Sequence, residues 1–584
     1  MSRSGRDRWP RALRWTLAGT SIVTLAAALY LTSRGLGLWE GVGSAQVASL
    51  HGDEQEIAWI EPATSTDAWA QFTSGLLRLQ ADWDKIGAPL GELQVDLGDD
   101  PGGAFPRLTA DVAEVALYFS QAPAQKLWVR WYKISGDNPA DVWVEKLRQR
   151  KRPPLAIVGG GTSDRAFQLG HALVKAKSDG WAGKPPLFLV TTATAETDRP
   201  APVDAADPHP GLRLTEVYAG RTFRFCFTNG AMVQAVLGFL HENPQAWIEP
   251  APQASALATA GAVACGDPAA IIGLLQAAGH LGPKLFTVSW EDDSYSRDLE
   301  LLFRSQCNRW HPFATPEDLG ALPYSVGDAY QPNAAEVISV DLFLSFHAPP
   351  PRSILVLPAA VQRMRRYLSF LCQVSPKAAR NLVVVNGDAI SFHNIYRDRD
   401  FAWNIMDMPV SLVFFSHRNP VDTSAAAAWG FAWERDEDKK LSTTGTHDLL
   451  LYRDIIEAML YAAFENGRLL ADADRVRERL LRTCWREVTD AAPDDPRNHR
   501  VQNALVHNDP ALTGRELFDA IGNRRPGTGE HIVWLRPNFV DDRLNLLQPA
   551  TISIWRLELA GDRQSWHEVD RHATTYNRPR GPDE

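Results

Sequence analysis

Short apolar runs alternate with segments of helical period along most of the chain. EIAWI (56–60) has the pattern of a buried strand, and TDAWAQFTSGLLRLQADW (66–83) follows with apolar residues at three- to four-residue spacing. KLWVRWYKI (126–134) predicts a second strand, and Asn138-Pro139 opens a helix in DNPADVWVEKLRQR. PLAIVGGG runs a third strand into a glycine turn before the helix SDRAFQLGHALVKA, and LFLVTTATA (187–195) predicts a fourth. Strand and helix in strict alternation imply parallel sheets with right-handed crossovers.

The rhythm restarts at RTFRFCFTNGAMVQAVLGFLHE (221–242), a short strand and a long helix. KLFTVSWEDD (284–293), SILVLP (353–358), NLVVVNGD (381–388) and SLVFFS (411–416) read as further strands, with helices YSRDLELLFRSQ and VQRMRRYLSFLCQ between them. HDLLLYRDIIEAMLYAAFENG (447–467) predicts a long helix stopped by Asn466-Gly467. GEHIVWL and ATISIWRLEL predict a terminal hairpin. Residues 196–216 are a Pro/Asp-rich loop, and the Ala/Pro/Gly-rich stretch 243–283 fits an insertion.

The N-terminal pattern differs. Trp15 to Ser33 is nineteen residues without a formal charge, preceded by a basic tail (1–14) with Arg3, Arg6, Arg8, Arg11 and Arg14 against Asp7. A helix of that length spans the ~30 Å hydrocarbon layer. The positive-inside rule keeps the tail in the cytoplasm and sends the bulk of the chain outside. Cleavage after Ala45 is the rival reading, although that site lies well beyond the apolar run. No lipobox cysteine follows, which excludes a lipoprotein anchor.

Composition narrows the classes. With 584 residues, 45% hydrophobic and 22% charged, the chain is globular. A net charge of −10 argues against a nucleic-acid partner, which needs a basic face. Five scattered cysteines contain no CxxC, so no zinc module is expected, and the odd count leaves at least one free thiol. The twenty tryptophans are assigned to packing.

The order of these segments resembles the type I periplasmic binding proteins, in particular the leucine/isoleucine/valine-binding and receptor ligand-binding families. IAWIEPATSTDAW is similar to their opening strand and loop, PLAIVGGGTSDRAFQLGHAL to a strand–turn–helix opened by a small hydroxyl residue, and LFLVTTATA to the next strand and its ligand loop. RTFRFCFTNGAMVQAVLGFL resembles the segment after the first lobe crossing, LFTVSWEDDSYSRDLELLF a second-lobe unit, NLVVVNGDAISFHN the second-lobe glycine–acid loop, and HDLLLYRDIIEAMLYAA the returning helix. Each motif alone is weak; their order over about 55–570 carries the resemblance. It departs from the family in the 243–283 insertion and in Ser296, which follows Tyr295 where a glycine is usual.

The resemblance implies an α/β fold of two Rossmann-like lobes with parallel sheets joined by three crossing strands, after one N-terminal transmembrane helix. Lobe 1 would comprise 52–220 and 417–525, and lobe 2 would comprise 221–416 and 526–575. It implies capture of a small ligand by lobe closure, for ABC-type transport or sensing, with an ABC permease or a membrane sensor as partner and no cofactor or metal.

Seven residues are candidates for the ligand. Thr162 and Ser163 open a helix, whose free N–H groups hold carboxylates, though both types also serve as ordinary caps. Thr192 and Thr194 end a strand with hydroxyls. Tyr295 would close from lobe 2, and Trp69 would line the cleft unless it packs in the core. Asp388, in NGDA, would pair with a ligand ammonium, its alternative being an Asx turn. If Thr162, Ser163, Thr194 and Asp388 converge, the ligand is an amino acid or small carboxylate. Asp164 brings an opposing negative charge to the same turn.

Enzyme signatures are poor. GGGTSD lacks the third glycine of a dinucleotide fingerprint, and no GxxxxGK[ST], HExxH or GxSxG occurs. His171, His241, His393 and His447 are scattered, and Asp292-Asp293 would point to opposite sides of a strand. An extracytoplasmic hydrolase and a ligand-less interaction module are the alternatives to solute binding.

Overall fold

The computed structural model describes residues 49–574 apart from 64–65, 84–89, 99–110, 137, 198–210, 227, 243–283, 311–315, 324–330, 347–352, 381, 390–410, 417–433, 436–440, 443–445, 482–483, 490–500, 507–549 and 561–562. The 15–33 stretch, the 243–283 insertion and GEHIVWL lie outside the described residues. Among the described residues no helix is long and apolar enough to cross a membrane.

Two seven-stranded sheets organise the chain. The first contains β1 (Gln55–Pro62), β2 (Leu93–Asp96), β3 (Ala113–Phe119), β4 (Leu127–Ile134), β5 (Ala156–Gly159), β6 (Leu187–Val190) and β7 (Thr222–Arg224), in the order β2-β3-β4-β1-β5-β6-β7. From β4 to β7 neighbours run parallel, and β2–β3 adds an antiparallel edge. The second contains β8 (Leu285–Trp290), β9 (Glu317–Leu322), β10 (Ser353–Val356), β11 (Leu382–Val385), β12 (Ser411–Ser416), β13 (Ala550–Ala560) and β14 (Arg563–Thr574). Its order is β14-β13-β12-β11-β10-β8-β9, parallel from β9 to β12 and antiparallel beyond.

The parallel parts share one pattern. In β4-β1-β5-β6-β7 and in β9-β8-β10-β11-β12 the first strand lies between the second and the third, so the winding direction reverses at β1/β5 and at β8/β10. Such doubly wound sheets leave a crevice outside the carboxyl ends of the strands at the switch point.

Burial on both faces explains why the strands read as continuous apolar runs. Ile57 and Trp59 point to one face, packing with α1 (Thr66–Trp83) and α8 (Thr446–Ala463), while Ala58 and Ile60 point to the other, with α2 (Ala140–Arg148) and α3 (Ser163–Asp179). Trp59 stacks on Trp131 with centroids 5.0 Å apart. In the second sheet Phe286, Val288 and Leu355 meet α6 (Ala334–Phe346) and α7 (Val361–Val374), and Ile354, Val356 and Val383 meet α4 (Asn229–Glu242) and α5 (Ser294–Gln306). Helix α9 (Ala473–Leu481) joins α8 on the first core.

Four expectations need correction. β7 belongs to the first sheet while α4 packs on the second, so the first crossing lies at 225–228, not at 220/221. ATISIWRLEL pairs with Arg563–Thr574 in the second sheet, making that the terminal hairpin. The strand expected over 187–195 stops at Val190, and 191–195 form a loop. The helix expected to 467 ends at Ala463: Asn466 (φ 50°) and Gly467 (φ 74°) instead turn the chain between the paired Phe464–Glu465 and Arg468–Leu469, and two successive positive φ values are what a two-residue hairpin requires.

Candidate functional site

The segments after β5 and β6 meet the helix that follows β8 through a set of polar contacts. In the GGG turn after β5, Gly160 has φ 88°, a conformation open to glycine. Thr162 caps α3, its Oγ1 accepting from the Arg165 N–H at 3.4 Å. Ser163 is buried, and its Oγ accepts from the Ala195 N–H at 3.2 Å. Thr192 Oγ1 donates to the Gly161 carbonyl at 3.0 Å. The buried Thr194 presents its carbonyl to the Asn229 N–H at 2.8 Å. The Ser163 and Thr192 hydroxyls therefore tie the turn after β5 to the 191–195 loop, while Thr162 caps its own helix; Thr162 and Ser163 act in these bonds as acceptors.

In the second lobe the hydroxyl of Tyr295 donates to Asn386 Oδ1 and accepts from the Ala389 N–H, each at 3.2 Å. Burial first, then the adjacent Asp388, pushes its pKa well up. Tyr295 and Asp388 are thus neighbours, with Asp388 half-buried at the end of β11. Cys226 follows β7: its Sγ donates to the Ala193 carbonyl at 3.1 Å, and Asp388 is near enough to act on its charge. Burial, the largest cause, pushes this thiol up to about 12, so it is inert as a nucleophile near neutrality. Cys307 is a free thiol.

Trp69 stands apart. It is buried in the first core, 5.4 Å from Trp131 and 5.6 Å from Phe72 between ring centroids. Its place in the core follows from its position on the inner face of α1.

Charged groups outside the seven candidates complete the region. Glu61, at the end of β1, is buried beside Gly161, where an added Cβ would lie 3.2 Å from Glu61 Oε2. Arg363, at the start of α7, donates to Asp292 Oδ2 at 2.8 Å and Asp293 Oδ2 at 3.5 Å, tying together the ends of β8 and β10. Asp293 also caps α5 through the N–H groups of Tyr295 and Ser296. Its carboxyl is raised, chiefly by burial.

Among the described residues, hydrogen bonds join the two lobes along α5. Asp164 Oδ1, in the first turn of α3, accepts from Ser294 Oγ at 2.5 Å and from the Ser294 N–H at 3.3 Å. Asp298, one turn further along α5, accepts from the Glu196 N–H at 2.9 Å, Thr197 Oγ1 at 3.2 Å and Asn229 Nδ2 at 2.9 Å. Only the fold brings these groups together, since Asp164 and Ser294 are 130 residues apart. The one hint was Asp164 itself, an acid where the carboxylate reading wanted none.

Burial, followed by the charge of Glu196, raises Asp298 to about 7. The folded protein therefore holds this proton at pH values where the unfolded chain has lost it. The stabilising contribution is complete below about pH 4 and is lost as pH rises through about 7. Wild-type stability relative to Asp298→Asn is accordingly expected to fall over that interval. Thermal midpoints of both proteins at intervals from pH 4 to 8 check this, and a constant difference contradicts it.

No family model and no curated protein matches this chain. Solved structures of leucine/isoleucine/valine-binding and other type I periplasmic solute-binding proteins match it over about 90% of its length. One is an ABC-transporter solute-binding protein from R. palustris in complex with 4-hydroxybenzoate, 11% identical, covering 90% of this chain and 98% of its own, with TM-score 0.48. Another is the leucine-binding protein LivK from Thermotoga maritima, 11% identical, covering 88% and 97%, TM-score 0.44. A third is LivJ from Streptococcus pneumoniae in complex with isoleucine, 11% identical, covering 90% and 100%, TM-score 0.43.

Proposed function

We propose that this chain is a solute-binding protein that encloses a small molecule between its lobes and performs no covalent chemistry. One observation carries the reading: the carboxyl-end crevices of two doubly wound sheets face each other, the N-terminus of α3 meeting that of α5 through Asp164 and Ser294. Ligand contacts from both sides favour the closed state by population shift.

The ligand class we favour is an amino acid or small carboxylate. Asp388 is the partner for an ammonium, supported by its half-buried place beside Tyr295 and the crossing residue Cys226. The Ser163 oxygen accepts from Ala195, so a ligand carboxylate takes the backbone N–H groups of the 160–164 turn together with the hydrogen of that hydroxyl. Residues 15–33 anchor the chain, placing the lobes outside the cytoplasm, where an ABC permease or membrane sensor is the partner. Retention in the membrane pellet after an alkaline wash checks the anchor, and release contradicts it.

The binding test is a thermal-shift panel of amino acids, benzoate and 4-hydroxybenzoate. A ligand at one hundred times its Kd adds ~2.7 kcal/mol to stability. Asp388→Ala is expected to weaken a zwitterionic ligand at least ~10-fold, equivalent to ~1.4 kcal/mol, and to leave a simple carboxylate unaffected. Equal loss for both classes would remove Asp388 from the ammonium role, and a panel without any shift would remove the ligand class.

A further inference from the structure

We infer that the two lobes are latched to each other by a reciprocal exchange of carboxylates, so that the closed arrangement is held by the protein without a ligand. The argument begins with α5. Ser294 and Asp298 are four residues apart, so they share one face of the helix, and that face is turned to the first lobe. At its N-terminal end the first lobe supplies the acid: Asp164 receives both the hydroxyl and the backbone N–H of Ser294. One turn later the second lobe supplies the acid: Asp298 receives the Glu196 N–H and the Thr197 hydroxyl of the first lobe, together with the amide of Asn229 at the crossing.

Each carboxyl group has hydrogen-bond donors of the other lobe arranged around it. Asp164 meets the N-terminal end of α5, whose N–H groups and dipole attract anions. Asp298 is buried, and three donors satisfy its oxygens. The second contact is braced by Glu196, whose Oε1 accepts from the Gly230 N–H at 3.0 Å, so the same loop residue holds both α5 and the start of α4. Separating the lobes leaves Asp298 and its donors to find other partners, a cost that a ligand-dependent closure alone would not impose. Two such contacts on one rigid helix open together or not at all.

That coupling is measurable without any ligand, so the outcome is independent of the solute-binding reading. Amide hydrogen exchange is followed in the wild-type chain and in Asp164→Ala. Breaking the first contact is expected to speed exchange at least ~10-fold at the Ser294 amide and also at the Glu196 and Gly230 amides of the second contact, while β1 keeps its protection. Faster exchange at Ser294 with Glu196 and Gly230 unchanged overturns the latch, since the contacts are then independent. Should Asp164→Ala loosen β1 as well, Ser294→Ala, which removes only the hydroxyl donor, is read by the same criterion.

Discussion

Replacing Glu56 by alanine is expected to lower the thermal midpoint by about 10 °C, the largest loss from any single polar side chain of the first lobe. Glu56 is buried in β1, and its carboxylate accepts from Arg130 at 2.9 Å, from the Tyr132 hydroxyl at 2.5 Å and from Arg150 at 3.0 Å. Arg130 is equally buried and reaches the partly exposed Glu114 on its other side at 3.0 Å. Removing one member of a buried charge pair leaves the other uncompensated and costs ~3–5 kcal/mol. Replacing Glu56 and Arg130 together by leucine is expected to cost less than Glu56→Ala alone, because the fully buried charges go together and the charges left behind, Arg150 and Glu114, are partly exposed. Calorimetric scans of the three proteins check this. A midpoint within 2–3 °C of wild type for Glu56→Ala, a loss of roughly 1 kcal/mol, would show that the charges are satisfied otherwise.

The second large effect is at Gly387. A methyl group added there would press into the Tyr295 hydroxyl and come within 3.2 Å of Leu299 Cδ2. Neither neighbour has room to give, since Tyr295 is bonded to Asn386 and Ala389 and Leu299 is buried against Met232. Overpacking of this kind costs ~1–3 kcal/mol, and it displaces the next residue, Asp388, which we propose meets the ligand. Gly387→Ala is therefore expected to lose both stability and affinity. Adding Tyr295→Phe, which removes the oxygen that clashes, is expected to restore most of the stability. Urea unfolding of the single and double variants decides it, and a double variant no more stable than Gly387→Ala would contradict the steric account.

The period of the chain made the parallel strands and the long helices legible. β1, β8 and β10 were readable because both faces of each strand are buried, and α1 because its apolar positions recur at helical spacing. Elements without such a signal were missed. AEVALYF (β3) is an antiparallel addition to the edge of the doubly wound set, and α6 (AAEVISVDLFLSF) is apolar on nearly every side, which hides its period.

The site was legible only in part, for a related reason. Hydroxyls and an acid at strand ends follow from local pattern, and the fold does place Thr192, Ser163, Tyr295 and Asp388 at the carboxyl rims. What each side chain bonds to depends on distant loops. Ser163 is claimed by Ala195, Asp164 by Ser294 and Asp298 by Glu196, pairings between residues 32 to 130 positions apart that no spacing rule encodes.

The most direct test of the account is a crystal structure of the protein with the panel compound that raises its thermal midpoint most. The account predicts the compound between the two sheets, within hydrogen-bonding distance of both the 160–164 or 191–195 turn and Asp388. A compound seated outside that gap, or held by one lobe alone, would contradict it.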